Sequence, residues 1–181
     1  VNDRISLSMR NEGTRRVLNN IKDYFEFTGE LQLHRGRDYA LVLSSEKLIK
    51  VMDELNIGQK KQYKGFPKSF YNEDCARMFF RGTLDGDGNI HLLISKYTGD
   101  YVGGEFRIVH NSIDFIENYI ATLNKYLGTE CRLSYQRAKD VLYPKLEMSV
   151  TDSLIFYDWV YKGYEDFRLP NKYRKYKQLV S

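Results

Sequence analysis

The same order of predicted strands and helices occurs twice in this chain, at an interval of about 100 residues. In the first copy, an alternating strand over residues 4–10 leads into a helix that we expect to end at Gly29. In the second copy, a strand over 105–110 leads into a helix over 113–127, which Gly128 is expected to end. Two further alternating segments and another helix follow in both copies. A chain with this order is predicted to fold as two tandem α+β units.

The two copies differ at their beginnings. A helix-like segment and a strand over 90–96 precede the second copy, and nothing before Val1 matches them. We therefore divide the chain into a truncated first repeat (1–58), a linker (59–74) and a complete second repeat (75–181). On this interpretation, either the chain is a fragment or the first repeat is natively truncated and a second molecule completes it.

The remaining predicted elements are strands over 30–34, 39–43, 131–136 and 145–150 and helices over 45–56 and 153–163.

Composition excludes several classes of protein. Apolar residues make up 42 % of the chain and charged residues 29 %, with only 3 Pro, which excludes a chain that is mainly disordered. No segment reaches the ~20 consecutive apolar residues of a membrane span, and residues 1–10 lack the apolar core of a signal peptide. We expect an intracellular protein with no membrane partner. Cys75 and Cys131 lack the spacing of a zinc site or a disulfide framework and are expected to be buried thiols.

The charge of the chain gives only a weak indication of its partner. The net charge of +4 suits nucleic acid, a membrane surface or neither. Residues 59–68 and 171–177 each carry several lysines or arginines and no acid. Each of these segments is either a solvated face or part of a surface that binds nucleic acid.

Residues 75–88 are the least ordinary stretch of the sequence. Gly82 and Gly86 lie four residues apart, so one face of the helix predicted over 76–87 has no side chains on two successive turns. Each glycine costs a helix ~1 kcal/mol relative to alanine, and this cost is usually tolerated where another backbone approaches closely. Asp85 and Asp87 stand near the C-terminus of this helix. The helix macrodipole disfavours a carboxylate there, and a bound cation would offset the repulsion.

Three interpretations of this stretch compete. The first is a plain turn after a helix, because Asp-Gly is a common turn pair. The second is an EF-hand calcium loop, which fails because Ile90 replaces the required glycine and Lys96 replaces the glutamate at position twelve. The third is a helix that packs against a similar helix and presents one carboxylate to a divalent metal beside a DNA phosphate.

The sequence Phe80-Arg-Gly-Thr-Leu-Asp-Gly-Asp-Gly resembles the signature helix of the LAGLIDADG homing endonucleases. The flanking Phe79-Phe-Arg-Gly and Asp87-Gly-Asn-Ile are also similar to that family, and the resemblance covers nearly the whole chain. It implies tandem αββαββα units whose antiparallel four-stranded sheets form a pseudo-twofold saddle in the DNA major groove, with helices on the convex face. It also implies that two motif helices pack side by side at the pseudo-twofold axis, each contributing the last acid of its motif.

The resemblance assigns roles to individual residues. It implies that Asp87 is a metal ligand, that the Gly86 carbonyl is a second one, and that Mg²⁺ or another divalent cation such as Mn²⁺ is the cofactor. Lys172 would be the basic residue near the scissile phosphate. Lys60 would be its counterpart in the first repeat, although Lys61 fits almost as well. These residue types suit phosphodiester hydrolysis, in which a carboxylate-held metal activates water and a lysine offsets developing negative charge.

The chain departs from the family pattern in one respect. Asp85 matches the earlier acid of the motif, for which the resemblance implies a helix-capping or structural part. Only one motif acid is present, so half of the family's catalytic pair is absent from this chain. The tandem units imply a monomeric pseudo-dimer if the chain is complete, and otherwise a need for the missing N-terminal segment or a second chain.

DNA recognition is expected on the sheet faces that point away from the helices. Period-two alternation separates an apolar set that would face the helices from a polar set on the opposite face. Arg, Gln, Ser and Glu are types that read base edges, although an exposed sheet face is polar in any protein. The apolar set is Ile5, Leu7, Leu33, Phe106, Ile108, Leu133, Leu146 and Met148. The predicted DNA-contacting set is Arg4, Ser6, Ser8, Arg10, Gln32, His34, Arg107, Arg132, Ser134, Gln136, Lys145 and Glu147.

Two functions fit these features. The first is a site-specific, metal-dependent double-strand DNA endonuclease of the homing type, encoded by an intron or an intein and cutting a long asymmetric target. The alternative is a catalytically impaired nucleic-acid-binding module on the same fold, either a DNA-binding repressor or a maturase that binds intron RNA. Asp87 favours the nuclease and the missing motif favours the module. Either would act in a bacterial or phage cytoplasm or in an organelle matrix. A globular protein with no nucleic-acid role would require the motif, the basic segments and the repeat to be coincidental.

Overall fold

Two antiparallel sheets, each covered on one face by helices, organise the chain. The computed structural model describes residues 4–10, 12–34, 38–54 and 65–180. The strands are β1 (Arg4–Arg10), β2 (Gln32–His34), β3 (Asp38–Ser44), β4 (Asn89–Ile94), β5 (Tyr101–Val109), β6 (Cys131–Ala138) and β7 (Val141–Met148). The helices are α1 (Glu12–Tyr24), α2 (Glu46–Glu54), α3 (Glu73–Gly86), α4 (Ile113–Leu127), α5 (Val150–Tyr161) and α6 (Pro170–Val180), with a 3₁₀ helix (Glu165–Phe167) before α6.

The strand order confirms that the two sheets are built alike. The first sheet has the order β1-β3-β2, and three strands of the second repeat that order as β5-β7-β6. The second sheet adds β4 on the outer edge of β5, so it has the four predicted strands. Within the part of the chain that the structure describes, the first sheet has three strands, and β1 takes the place that β5 has in the second.

Aromatic side chains fill the core between the second sheet and helices α3, α4 and α5. The ring of Phe80 in α3 lies 4.5 Å from that of Tyr119 in α4, measured between centroids. Phe106 in β5 lies at the same centroid distance from Phe156 in α5. Edge-on and offset contacts of this kind add to the large apolar area that each ring buries. A smaller core of Leu18, Leu41 and Leu43 joins α1 to the first sheet.

Helix α4 follows its sequence signals, whereas α1 does not. Ser112 accepts a hydrogen bond from the backbone of Phe115 at the start of α4, and Gly128 ends the helix in the left-handed conformation. The prediction that Gly29 ends α1 is wrong, because Glu26 takes the left-handed position, with φ of 55°. The amide of Phe27 then donates to the carbonyl of Lys22. Phe27 packs against the small core, so a tertiary contact sets the end of α1.

Several other predicted bounds need correction. The motif helix runs from Glu73 to Gly86 and not over 76–87, because Asn72 caps it. β7 begins at Val141 and not at residue 145, since the hairpin turns at Lys139 and Asp140 and pairs Pro144 with Tyr135. β7 includes Pro144, and a proline is unusual within a sheet. α2 ends at Glu54, and residues 55–58 lie outside the described part of the chain.

One expectation about burial is also wrong. Leu33 is 59 % exposed and Leu133 is 37 % exposed because β2 and β6 are edge strands, although register pairs Leu133 with the buried Leu146. Cys75 is exposed and Cys131 is partly buried, so these thiols are not the two buried groups that we expected. Among the residues described, none of the helices has the length and apolar character that crossing a membrane requires.

Candidate functional site

Helix α3 presents one apolar face to the core and one bare face outward. Ala76, Phe80 and Leu84 are buried against the second sheet and its helices. Gly82 and Gly86 are exposed, and a Cβ atom added at either would meet nothing within 4 Å. The helix therefore has space on two successive turns, as the sequence predicted from the glycine spacing.

Arg81 fixes α3 to the end of α5. Its side chain is 2 % exposed, and its guanidinium donates to backbone carbonyls at and just after the C-terminus of α5. Nε donates to the carbonyl of Val160 at 2.6 Å, and Nη1 to that of Tyr164 at 2.9 Å. Nη2 donates to Gly163 at 3.0 Å and Lys162 at 3.4 Å. The Val160 carbonyl lies in the last turn of α5, where carbonyls lack partners within the helix, and the positive charge complements the dipole at this end.

Asp85 makes a second connection one turn later. Its carboxylate accepts a hydrogen bond from the hydroxyl of Tyr161 at 3.0 Å and another from the backbone amide of Leu169 at 3.1 Å. Burial raises the pKa of Asp85 to about 6, although both hydrogen bonds and nearby Arg81 act in the opposite direction. Asp85 thus joins α3 to α5 and to the segment that leads into α6. Contacts that join helices in this way fit a structural role for Asp85.

The raised pKa of Asp85 predicts a specific dependence of stability on pH. The folded state binds this proton more tightly than the unfolded chain does, since the pKa rises from 3.8 to about 6 on folding. The contribution of Asp85 to the free energy of unfolding should therefore fall as the pH rises from about 4 to about 6, by up to ~3 kcal/mol. Asp85→Asn keeps an oxygen acceptor and removes the titration. Urea unfolding across this range should show the stability of wild type relative to Asp85→Asn falling as the pH rises, with Asp140→Asn in an exposed turn as the control. Equal pH slopes for wild type and Asp85→Asn would contradict the assignment.

Lys172 lies near Asp87 where α3 ends. Asp87 is exposed and directly follows the helix, whereas Lys172 extends toward this end from the first turn of α6. The Lys172 ammonium donates to the carbonyl of Gly88, the residue after Asp87. Burial and the neighbouring Lys175 lower the pKa of Lys172, and the charges of Asp85 and Asp87 oppose that change. The structure thus brings together two of the predicted site residues, whereas Lys60 and Lys61 lie outside the described residues.

The donors at this position suit part of the coordination shell of a divalent cation. The Asp87 carboxylate and the Gly86 carbonyl are hard oxygen donors, and Mg²⁺ commonly takes one or two carboxylates and keeps several waters. In the described ranges, no three His, Cys, Asp or Glu side chains gather as a metal site. The residues present therefore fit part of the coordination shell of such a cation, with one carboxylate and one carbonyl.

A cleft of about 970 Å³ separates α3 from the first unit. The bare face of α3 forms one wall, with Cys75, Met78, Gly82 and Gly86. The opposite wall is largely apolar and consists of Leu7, Thr14, Val17, Ile21, Tyr24 and Phe25 from β1, α1 and the turn after it. The space thus has two glycines of α3 on one side and mainly aliphatic and aromatic side chains on the other.

The face of the second sheet away from the helices is polar, and its charged groups form a network. Arg107, Glu147 and Arg132 are cross-strand partners in β5, β7 and β6. Ser134 and Lys145 are partners in the adjacent row. Glu147 accepts hydrogen bonds from Lys145 at 2.6 Å and from Ser134 at 3.0 Å. Gln136 lies on the same face, opposite Tyr143.

The corresponding face of the first sheet is less polar than expected. Ser6, Ser8 and Gln32 are exposed, but their partners in the central strand are Val42 and Ala40. Register places Arg4, Arg10 and His34 on this face too, although their side chains lie outside what the structure describes. Alternation along each strand was therefore a sound guide to the outer strands, whereas the central strand carries apolar residues on both faces.

Sequence reasoning missed part of the polar face. Asn89 and His91 of β4 pair with Arg107 and Glu105 of β5, which brings all four onto the same face as Glu147. The missing information was the register between β4 and β5. Once Arg107 is placed on the polar face, that register identifies the other three.

Comparison with known proteins supports the fold only. No family of known sequences matches this chain, and no curated protein matches it. Full-length DUF199/WhiA from Thermatoga maritima is 15 % identical with a TM-score of 0.52. The match covers 98 % of this chain and 52 % of the WhiA chain. This chain thus spans about half the length of that protein. A mesophilic variant of the homing endonuclease I-DmoI is 17 % identical with a TM-score of 0.59. The match covers 89 % of this chain and 77 % of the I-DmoI variant.

A further solved structure is a DNA complex. The homing endonuclease I-WcaI bound to its DNA recognition sequence is 14 % identical with a TM-score of 0.60, covering 96 % of this chain and 74 % of its own. The two antiparallel sheets and their covering helices match this architecture. The chain therefore has the LAGLIDADG homing-endonuclease fold.

Proposed function

We propose that this chain binds double-stranded DNA across its two sheets and carries one half of a metal-dependent site for phosphodiester hydrolysis. The proposal rests mainly on the proximity of Lys172 to Asp87 at the end of α3. Asn89, which begins β4 on the polar face, follows Asp87 by two residues. A phosphate of DNA lying on that face would therefore come close to both a carboxylate and an ammonium group.

Each residue has a distinct part in this proposal. Asp87 and the Gly86 carbonyl hold the cation, which when bound polarises the phosphate and lowers the pKa of a coordinated water. Lys172 offsets the negative charge that develops on the phosphate. Arg81 and Asp85 keep the end of α3 in place through α5 and α6. The polar sheet faces position the duplex and read its bases.

The second carboxylate is proposed to arrive on another helix that occupies the cleft. The internal repeat supports this, because α4 packs against α3 in the second unit, whereas α1 faces the cleft in the first. In α4 the hydroxyl of Tyr119 lies 2.7 Å from that of Thr83 in α3. The open turns at Gly82 and Gly86 permit close approach of a second backbone.

A cleavage assay tests this function. Intact protein is incubated with supercoiled DNA carrying a randomised insert, with Mg²⁺ or with EDTA, and linear products are sequenced. Metal-dependent cutting at a recurring site supports the nuclease. Gly86→Leu projects a side chain into the cleft and should block the second helix, so it should reduce cutting without loss of DNA binding. Cutting that is equal in EDTA would contradict the proposed metal site.

DNA binding without cleavage is the second candidate function. The described residues provide a single exposed carboxylate at the end of α3, and that observation favours a repressor-like module or a maturase that binds intron RNA. Salt-sensitive binding of duplex DNA with no metal-dependent cutting would support the DNA-binding form, and preference for folded RNA over duplex DNA would support the maturase.

A further inference from the structure

Four side chains from four strands form a single row across the polar face of the second sheet. Cross-strand register aligns Asn89, Arg107, Glu147 and Arg132 in β4, β5, β7 and β6. Neighbouring strands lie ~4.8 Å apart, so the row is ~14 Å long. Asn, Arg and Glu match the edges of adenine, guanine and cytosine in the major groove. The row is therefore suited to contact several adjacent bases.

Glu147 is the acceptor at the centre of this row. One of its carboxylate oxygens accepts from the Lys145 ammonium at 2.6 Å, and the same oxygen lies 3.8 Å from Nε of Arg107. The other oxygen accepts from the Ser134 hydroxyl at 3.0 Å. The hydrogen bond from Lys145 is the main cause that lowers the pKa of Glu147, so this group is ionised at neutral pH.

The contacts with Glu147 and Glu105 restrict the orientations of the neighbouring cationic side chains. Lys145 and Arg107 both lie beside Glu147, and the guanidinium of Arg107 also contacts Glu105. A long cationic side chain without such contacts takes many orientations and pairs with any phosphate within reach. One that is held by an acceptor keeps a fixed direction and meets a base edge only where the sequence suits it. A carboxylate on this face also repels phosphates that approach too closely.

We propose that Glu147 determines sequence specificity on this face, by holding Lys145 toward the bases beside Arg107, which Glu105 holds, and by disfavouring contacts with phosphates alone. This inference rests on the proposed DNA-binding function and assigns Glu147 a positioning part. It carries an unusual consequence. Loss of the Glu147 charge should strengthen binding to DNA of arbitrary sequence and weaken discrimination between sequences.

Selection from a pool of random duplexes tests this role. Wild type, Glu147→Gln and Asp140→Asn are each used to enrich bound sequences, and affinities are then measured for the enriched duplexes and for an arbitrary one. Asp140 lies in the exposed turn between β6 and β7, so its variant makes the same change in net charge outside the network. Glu147 is only half-buried, and thermal unfolding of each variant checks that it folds.

The expected results distinguish the effect of the hydrogen-bond network from the effect of net charge. Both variants should bind the arbitrary duplex ~3- to 10-fold more tightly at about 0.1 M salt. Only Glu147→Gln should lose preference at adjacent positions of the enriched sequence, by about 10-fold per base pair. An unchanged base preference in Glu147→Gln, or equal losses in both variants, would overturn the inference. Failure of wild type to bind duplex DNA would instead overturn the proposed function.

Discussion

Asp87→Asn is expected to abolish metal-dependent DNA cleavage while leaving duplex binding unchanged. The neutral amide is a poor ligand for Mg²⁺, and Asp87 provides the only carboxylate that the described residues place at the exposed end of α3. Changes to groups that only support a metal ligand commonly cost 10- to 100-fold in activity, so loss of a ligand should cost at least ~100-fold. Initial rates of linearisation at saturating Mg²⁺, with and without the substitution, measure the effect.

Binding provides the necessary contrast for this variant. Asp87 is exposed, so the affinity for the cleaved sequence should remain within about threefold of wild type. Asp100→Asn in the turn between β4 and β5 removes the same charge and should cut DNA normally. Undiminished cutting by Asp87→Asn would place the metal site elsewhere.

Arg81→Ala should produce the largest loss of stability among single substitutions at the site. It removes the four hydrogen bonds that a buried guanidinium donates to backbone carbonyls at and just after the end of α5. Removing one partner of a buried charged interaction typically costs ~3–5 kcal/mol. The midpoint of urea unfolding should shift accordingly, and an unchanged slope would indicate that the unfolding transition is otherwise the same.

Two further variants distinguish the hydrogen bonds from the charge of Arg81. Arg81→Lys keeps the charge but not the planar set of donors, so its stability should lie between those of wild type and Arg81→Ala. Arg137→Ala, on an exposed position of β6, should change the free energy of unfolding by less than ~0.5 kcal/mol. A loss of less than ~1 kcal/mol for Arg81→Ala would contradict the part given to Arg81.

The elements that sequence reasoning located best were those with strong local signals. Ser112 and Gly128 bound α4 at the predicted residues because an N-cap hydroxyl and a left-handed glycine act within one turn. The end of α1 escaped prediction because Glu26 adopts the left-handed conformation and Phe27 docks on the core. Local signals thus identified the element in both cases, and tertiary packing decided where α1 stops.

Some features of the candidate site were predictable from the sequence, and others depend on tertiary contacts. The glycine spacing on α3 predicted its open face, and the family resemblance brought Asp87 and Lys172 into one hypothesis before the structure placed them together. The partners of Arg81 and Asp85 were not predictable, because these contacts join positions about 80 residues apart in the sequence. The Glu147 network likewise depends on the registers of β5 and β6 against β7, which no local pattern specifies.

The most direct test of the account is the salt dependence of duplex binding when cations are removed from the sheet face or from the helices. One variant replaces Arg107, Arg132 and Lys145 by alanine, and its control replaces the exposed helical Lys47, Lys50 and Lys125. Each phosphate contact contributes ~0.9 to the slope of log K against log salt. The sheet-face variant loses base contacts and positive charge beside the DNA, so it should bind less tightly and show a smaller slope, whereas the control should match wild type. Equal losses in the two variants would show that DNA does not lie on the sheets.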